Sequence, residues 1–134
     1  MGVAQCSDEA PAREPLPWTK SNVMRELERD GQWSFVKELI DTFLEDTASR
    51  IEGLRKAARA ADMAALASGG HTLKGSAQVM NAIPLVELSS EMERWARLNE
   101  ERDYLSLVDR LDLALAEVRQ AMTSYGHGLP RNVC

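Results

Sequence analysis

The stretch His71-Thr72-Leu73-Lys74-Gly75-Ser76-Ala77-Gln78-Val79-Met80 reads as the second half of an amphipathic helix that starts near Met63. At about 100° per residue, with His71 at zero, Leu66, Leu73, Ala77 and Met80 fall between roughly 180° and 240°. They make a single apolar stripe that needs a core to bury it. His71 points the other way. Its wheel neighbours are Ala64, Ala67, Ser68, Gly75 and Gln78, with Lys74 on one flank, so the large groups beside the imidazole are polar. A lone histidine is more often a packed or plain surface residue than a site. The wheel removes the packed reading and leaves an imidazole facing solvent.

Around that imidazole stand an ammonium at i+3, a residue without a side chain at i+4 and an amide at i+7. Residues three and four apart share a helix face, so these groups lie along one line. The arrangement suits a phosphoryl carrier. A neutral imidazole nitrogen is a nucleophile, and an exposed histidine, with an ordinary pKa of about 6.5, is largely neutral near pH 7. After phosphorylation of His71, Lys74 can offset the added negative charge, and Gln78 can donate a hydrogen bond to a phosphoryl oxygen or to the ring. Gly75 costs the helix about 1 kcal/mol relative to alanine. Close approach of another protein's active site to the phosphate is a physical reason to keep it.

These residues resemble the histidine-containing phosphotransfer (HPt) domains of bacterial phosphorelays. That family has a His-x-x-Lys-Gly-Ser/Ala-Ser/Ala core, matched here by His71, Lys74, Gly75, Ser76 and Ala77. The resemblance runs from about Val23 to Tyr125. It takes in Phe43 and Leu44 before Glu45-Asp46, then Leu54, Ala57 and Asp62, and the later Leu88, Met92 and Glu93. Two positions depart from the family pattern. Asn81 stands where glycine is usual, and asparagine is the next-best residue at a left-handed helix C-cap. Gly70 stands where a small non-glycine residue is usual; Gly69-Gly70 is read as admitting a bulky neighbour such as Trp33 or Trp95 rather than as loosening the helix.

The resemblance implies that a receiver domain of a response regulator or hybrid sensor kinase is the partner, and that it brings the magnesium ion and most of the catalytic groups. This chain would then be a carrier rather than an enzyme, with no cofactor of its own. Neither a Gly-x-x-x-x-Gly-Lys loop nor a kinase glycine box is present to bind ATP. The competing readings are the phosphorylated N-terminal domain of a chemotaxis kinase, the dimerisation helices of a histidine kinase, and a helical module that only binds a partner. The second expects an acidic residue after the histidine, where this chain has Thr72. The third predicts that His71→Gln changes nothing.

Outside the histidine helix, 134 residues are enough for one domain with a core and too few for two. A net charge of −5 without any basic run argues against nucleic acid as the main partner. No stretch reaches the roughly 18 apolar residues of a membrane helix, and no signal peptide opens the chain. The expectation is a monomeric cytoplasmic protein without direct membrane contact, either free-standing or the cytoplasmic end of a membrane-bound hybrid kinase. Cys6 and Cys134 lie far apart in the tails without metal-ligand spacing, and are read as reduced thiols.

Residues 1–18, with Pro11, Pro15 and Pro17, read as a flexible arm or linker. Thr19 or Ser21 can cap a short helix that ends at Asp30-Gly31. A second helix, from about Trp33 to Ala60, carries Val36, Ile40, Phe43, Thr47, Ile51, Leu54 and Ala58 at steps of three and four. Its charged residues take the opposite face. Asp62 caps the histidine helix, and Asn81 and Pro84 mark its end. Pro84 suits the first turn of a fourth helix with Leu85, Leu88, Met92 and Trp95 inside. After the polar break at Asn99–Asp103, the last helix repeats Tyr104, Val108, Leu111, Leu115, Val118, Met122 and Tyr125. That seam would also serve a coiled-coil dimer, but three other amphipathic helices need partners too. The sum is an all-α chain: an antiparallel four-helix bundle with a short additional N-terminal helix over residues 19–126, and a flexible tail over 127–134 that includes His127.

Overall fold

Each connection between helices is closed by the same local device. The computed structural model describes residues 20–127, and its helices are α1 (Asn22–Arg29), α2 (Trp33–Arg59), α3 (Met63–Val79), α4 (Ile83–Arg97) and α5 (Tyr104–His127). Between them Gly31, Ala61, Asn81 and Asn99 adopt positive φ, between 53° and 74°. In each case the next residue's N–H bonds the carbonyl five residues back: Gln32 to Leu27, Asp62 to Ala57, Ala82 to Ala77 and Glu100 to Trp95. This is the Schellman turn, which satisfies the last carbonyls of a helix while reversing the chain within a few residues. Asn81 occupies the left-handed position expected of it. Ala61 does so without asparagine's or glycine's tolerance of that conformation.

The helix starts are fixed from the side chains. Ser21 accepts from Met24 N, Asp62 from Ala65 N and Asp103 from Ser106 N. Pro84 lies in the first turn of α4, where its missing N–H costs nothing.

Such short turns force successive helices antiparallel. α2 packs on α3, α3 on α4, α4 on α5, and α5 back on α2, which closes a four-helix ring with α1 laid against α2. The α3–α4 contact is the most extensive. The apolar stripes meet inside: Val36, Ile40, Phe43, Ile51 and Leu54 from α2; Leu66, Leu73, Ala77 and Met80 at α3; and Val108, Leu111, Leu115, Val118 and Met122 from α5 are all buried. The α5 seam is therefore buried within the bundle. Arg55 of α2 ties the outer edge to α5 through Asp109 and Asp112, with Glu52 as its neighbour on α2. Among the described residues no helix is long and apolar enough to cross a membrane.

Three sequence expectations are corrected. The inner face of α4 is Leu85, Ser89, Met92, Glu93 and Ala96, whereas Leu88 and Trp95 are only partly buried. The atoms nearest to Gly69 and Gly70 belong to Leu54, Ser89 and Glu93 rather than to Trp33 or Trp95. A Cβ on Gly69 would meet Leu54 Cδ2 at 2.7 Å, and one on Gly70 would meet the α4 backbone at Ser89 and Glu93. Finally, α5 continues through Gly126 and His127, one residue into the expected tail. The N-terminal arm with Cys6, and residues 128–134 with Cys134, lie outside the described residues.

Candidate functional site

His71 stands near the middle of α3 with its side chain 63% exposed. It sits on the outer surface because the stripe through Leu66, Gly70, Leu73 and Ala77 turns the opposite side of the helix inward. The absence of a Cβ at Gly70 lets α3 lie directly on the α4 backbone at Ser89 and Glu93, with an ideal Cβ only 3.0 Å from Ser89 O and 3.1 Å from Glu93 N. That close approach carries the Glu93 side chain to the edge of the imidazole.

Glu93 is the group around which the site is arranged, and its side chain is nine-tenths buried. Its Oε1 accepts from Lys74 Nζ at 2.8 Å. Its Oε2 lies 3.0 Å from His71 Nδ1 and 2.6 Å from Arg97 Nη2. Lys74, then Arg97 and His71, hold the carboxyl down at about 2 against the cost of burial. An ionised carboxylate can only accept hydrogen bonds, so the proton of the neutral ring resides on Nδ1. Nε2 is left with its lone pair, on the side of the ring away from Glu93. A buried carboxylate that fixes the tautomer of a reactive histidine is a recurrent device for aiming one ring nitrogen at a substrate.

Of the residues singled out in the sequence, the structure gathers His71 and Lys74 on Glu93. Gly75 faces open space, where a Cβ would find nothing within 4 Å. Gln78 is exposed and makes no side-chain hydrogen bond among the described residues. It lines a cavity of about 460 Å³ between α3 and α1, with Lys20, Val23, Arg25 and Val79. Val23 is exposed there, whereas Leu27, one turn further along α1, is partly buried against the core.

Glu93 appeared in the sequence reading only as part of a resemblance, and Arg97 not at all. A signal for Glu93 was present: it stands eight residues after Leu85, on the inward face of its helix, where a charged residue demands a partner.

Comparison with known proteins bears on the family and the fold. The Hpt domain family model matches residues 38–121. Multistep phosphorelay regulator 1 of Schizosaccharomyces pombe is 26% identical over 98 residues, which are 73% of this chain and 33% of that protein. The chain thus spans about a third of the length of this curated relative. The crystal structure of histidine-containing phosphotransfer protein B from Pseudomonas aeruginosa PAO1 superposes with a TM-score of 0.71 at 25% identity, covering 81% of this chain and 94% of that one. With a family match across more than half its length and His71 presented on a helical bundle of the same shape, this chain belongs to the Hpt domain family.

Proposed function

We propose that His71 accepts a phosphoryl group from the aspartyl phosphate of one receiver domain and passes it to the aspartate of another. The observation that carries this reading is an exposed imidazole whose Nδ1 is held on an ionised, buried carboxylate. In the transfer, the Nε2 lone pair forms a bond to phosphorus as the phosphorus–oxygen bond to the receiver aspartate breaks. The bonding electrons leave with that carboxylate. The proton on Nδ1 stays in place, so the product is a phosphoimidazolium paired with Glu93. The reverse step expels a neutral imidazole, a good leaving group, and needs no proton to move.

The chain's own contribution is position and charge, which suffice for phosphoryl transfer between well-aligned partners. Lys74 keeps positive potential beside the ring, Gly75 leaves the helix surface low for the incoming receiver, and Gln78 offers an amide at the far edge of the face. Magnesium belongs to the receiver's aspartate pocket in this scheme. The chain acts as a cytoplasmic monomer, on its own or as the terminal domain of a hybrid sensor kinase.

The test is a transfer assay with wild type and His71→Gln, given labelled ATP alone or with a sensor kinase and a panel of receivers. Acid-labile, base-stable label that requires a phosphorylated receiver and vanishes in the variant is the expected result. Label from ATP alone, or none with any receiver, refutes the proposal.

A further inference from the structure

The charges around Glu93 do not balance in the same way before and after phosphorylation. When the ring is the neutral nucleophile that transfer requires, one carboxylate serves two full cations and that ring. Lys74 occupies Oε1, while Oε2 is shared by Arg97 Nη2 and His71 Nδ1. The two contacts to Oε2, 2.6 and 3.0 Å, bound the separation of the guanidinium nitrogen from Nδ1 at about 5.6 Å. Arg97 reaches this point from the last turn of α4, four residues after Glu93, with a side chain 59% exposed. Lys74 is much less free, at 27% exposure, and among the described residues it alone is paired with Oε1.

We propose that Arg97 is the phosphoryl-binding cation of this site, and that phosphorylation of His71 moves its guanidinium from Glu93 to a phosphoryl oxygen. This rests on the transfer reading above and deepens it. Once Nε2 carries the phosphoryl group and Nδ1 keeps its proton, the ring is an imidazolium. It then bonds Oε2 as a cation and takes over the place that Arg97 held. Glu93 keeps two positive partners, Lys74 and the ring, and is never left as an unpaired buried charge, which would be costly. Arg97 becomes the surplus cation at the moment when two new negative charges appear beside it. Its planar fork suits phosphoryl oxygens, and its exposure leaves it room to turn. Lys74 cannot make the same exchange as cheaply, because leaving would strip Oε1 with no successor. Its part is to hold Glu93, and so to position the ring.

The test phosphorylates wild type, Arg97→Gln, Arg97→Lys and Lys74→Gln with phosphoramidate, which needs no receiver, and follows the phosphohistidine by 31P NMR. The Arg97 side chain of 15N-labelled wild type is observed in parallel, with His71→Gln as the unphosphorylated control. The proposal expects the Arg97 side-chain resonance to shift on phosphorylation, and the 31P resonance to move more in Arg97→Gln than in Lys74→Gln. Mixed with a phosphorylated receiver, Arg97→Gln should shift the transfer equilibrium toward the receiver by about tenfold, the weight of one charged hydrogen bond, with Arg97→Lys recovering part of it. A 31P resonance unchanged in Arg97→Gln but displaced in Lys74→Gln overturns the proposal. Wild type that takes phosphate from phosphoramidate at His71 but from no receiver overturns the transfer reading instead, while the NMR comparison still judges Arg97.

Discussion

A Cβ placed on Gly70 would stand 3.0 Å from Ser89 O, 3.1 Å from Glu93 N and 3.4 Å from Glu93 Cα. All three are backbone atoms of α4, so no side chain can rotate away and relief must come from parting the two helices. Alanine at this position gains about 1 kcal/mol of helix propensity. Overpacking of this kind costs about 1 to 3 kcal/mol. Moving α4 also loosens the most extensive contact in the bundle. The expected net loss is about 1 to 2 kcal/mol, a fall in melting temperature of about 3–8 °C. Gly75 provides the matched control, because its Cβ would meet nothing within 4 Å and only the propensity gain of up to about 1 kcal/mol remains. Both variants are expected to transfer more slowly, Gly70→Ala because Glu93 is pushed off the imidazole and Gly75→Ala because the receiver is held further from Nε2. Thermal unfolding by circular dichroism and single-turnover transfer from a phosphorylated receiver read the two effects separately. Gly70→Ala melting at or above wild type would refute the claim that this glycine sets the helix spacing, and undiminished transfer by Gly75→Ala would refute the role given to the open surface.

Three further outcomes follow from particular groups. Thr47 is fully buried in α2 and its hydroxyl has no hydrogen-bond partner among the described residues, so Thr47→Val should stabilise the bundle by about 1 kcal/mol in chemical denaturation. Glu93 has its pKa lowered from 4.5 to about 2, so its ionisation stabilises the fold above about pH 4.5 and that contribution is lost as pH falls through about 2. The shift sets a ceiling of about 3 kcal/mol, and because the cluster opens on solvent, about 1 kcal/mol is expected. Stability measured between pH 5 and 2 should fall less in Glu93→Gln than in wild type, and parallel curves would contradict the assignment. Val23 is 43% exposed on the cavity that Gln78 lines, so Val23→Ala should weaken receiver binding by a few fold and leave the melting temperature unchanged. A collapse in melting temperature would place Val23 in the core instead.

The helices were legible because their signals are local. The three-four spacing of Val36, Ile40, Phe43, Thr47 and Ile51, or of Val108, Leu111, Leu115 and Val118, requires only the helical repeat, and these residues are buried as the pattern requires. Ser21, Asp62 and Asp103 cap helices as their chemistry allows. Ala61 was not legible, since nothing in an alanine announces a positive φ; the turn hydrogen bonds around it impose the conformation. Nor were the neighbours of Gly69 and Gly70, because these depend on how far one helix slides along another. In the site, His71, Lys74, Gly75 and Gln78 could be placed by position on one helix. Glu93 and Arg97 come from the next, and their meeting with His71 is a tertiary fact. Arg97 in particular looks like one more solvated charge in a helix's last turn.

The residue before His71 links this packing to the proposed chemistry. Gly70 faces inward and His71, about 100° further round, faces out. Shaving the side chain from the first lets α3 settle onto the backbone of α4 at the residue whose carboxylate steadies the second. A larger residue at position 70 would separate the helices just where Oε2 must reach Nδ1. The neutral ring would then be free to exchange its proton between the two nitrogens and lose the tautomer that leaves Nε2 bare. The same separation would draw Glu93 from Lys74 and Arg97, so tautomer, charge and helix spacing depend on a single contact. Histidine presented on an isolated helix would have the exposure of a carrier but none of this control. The bundle is what supplies it.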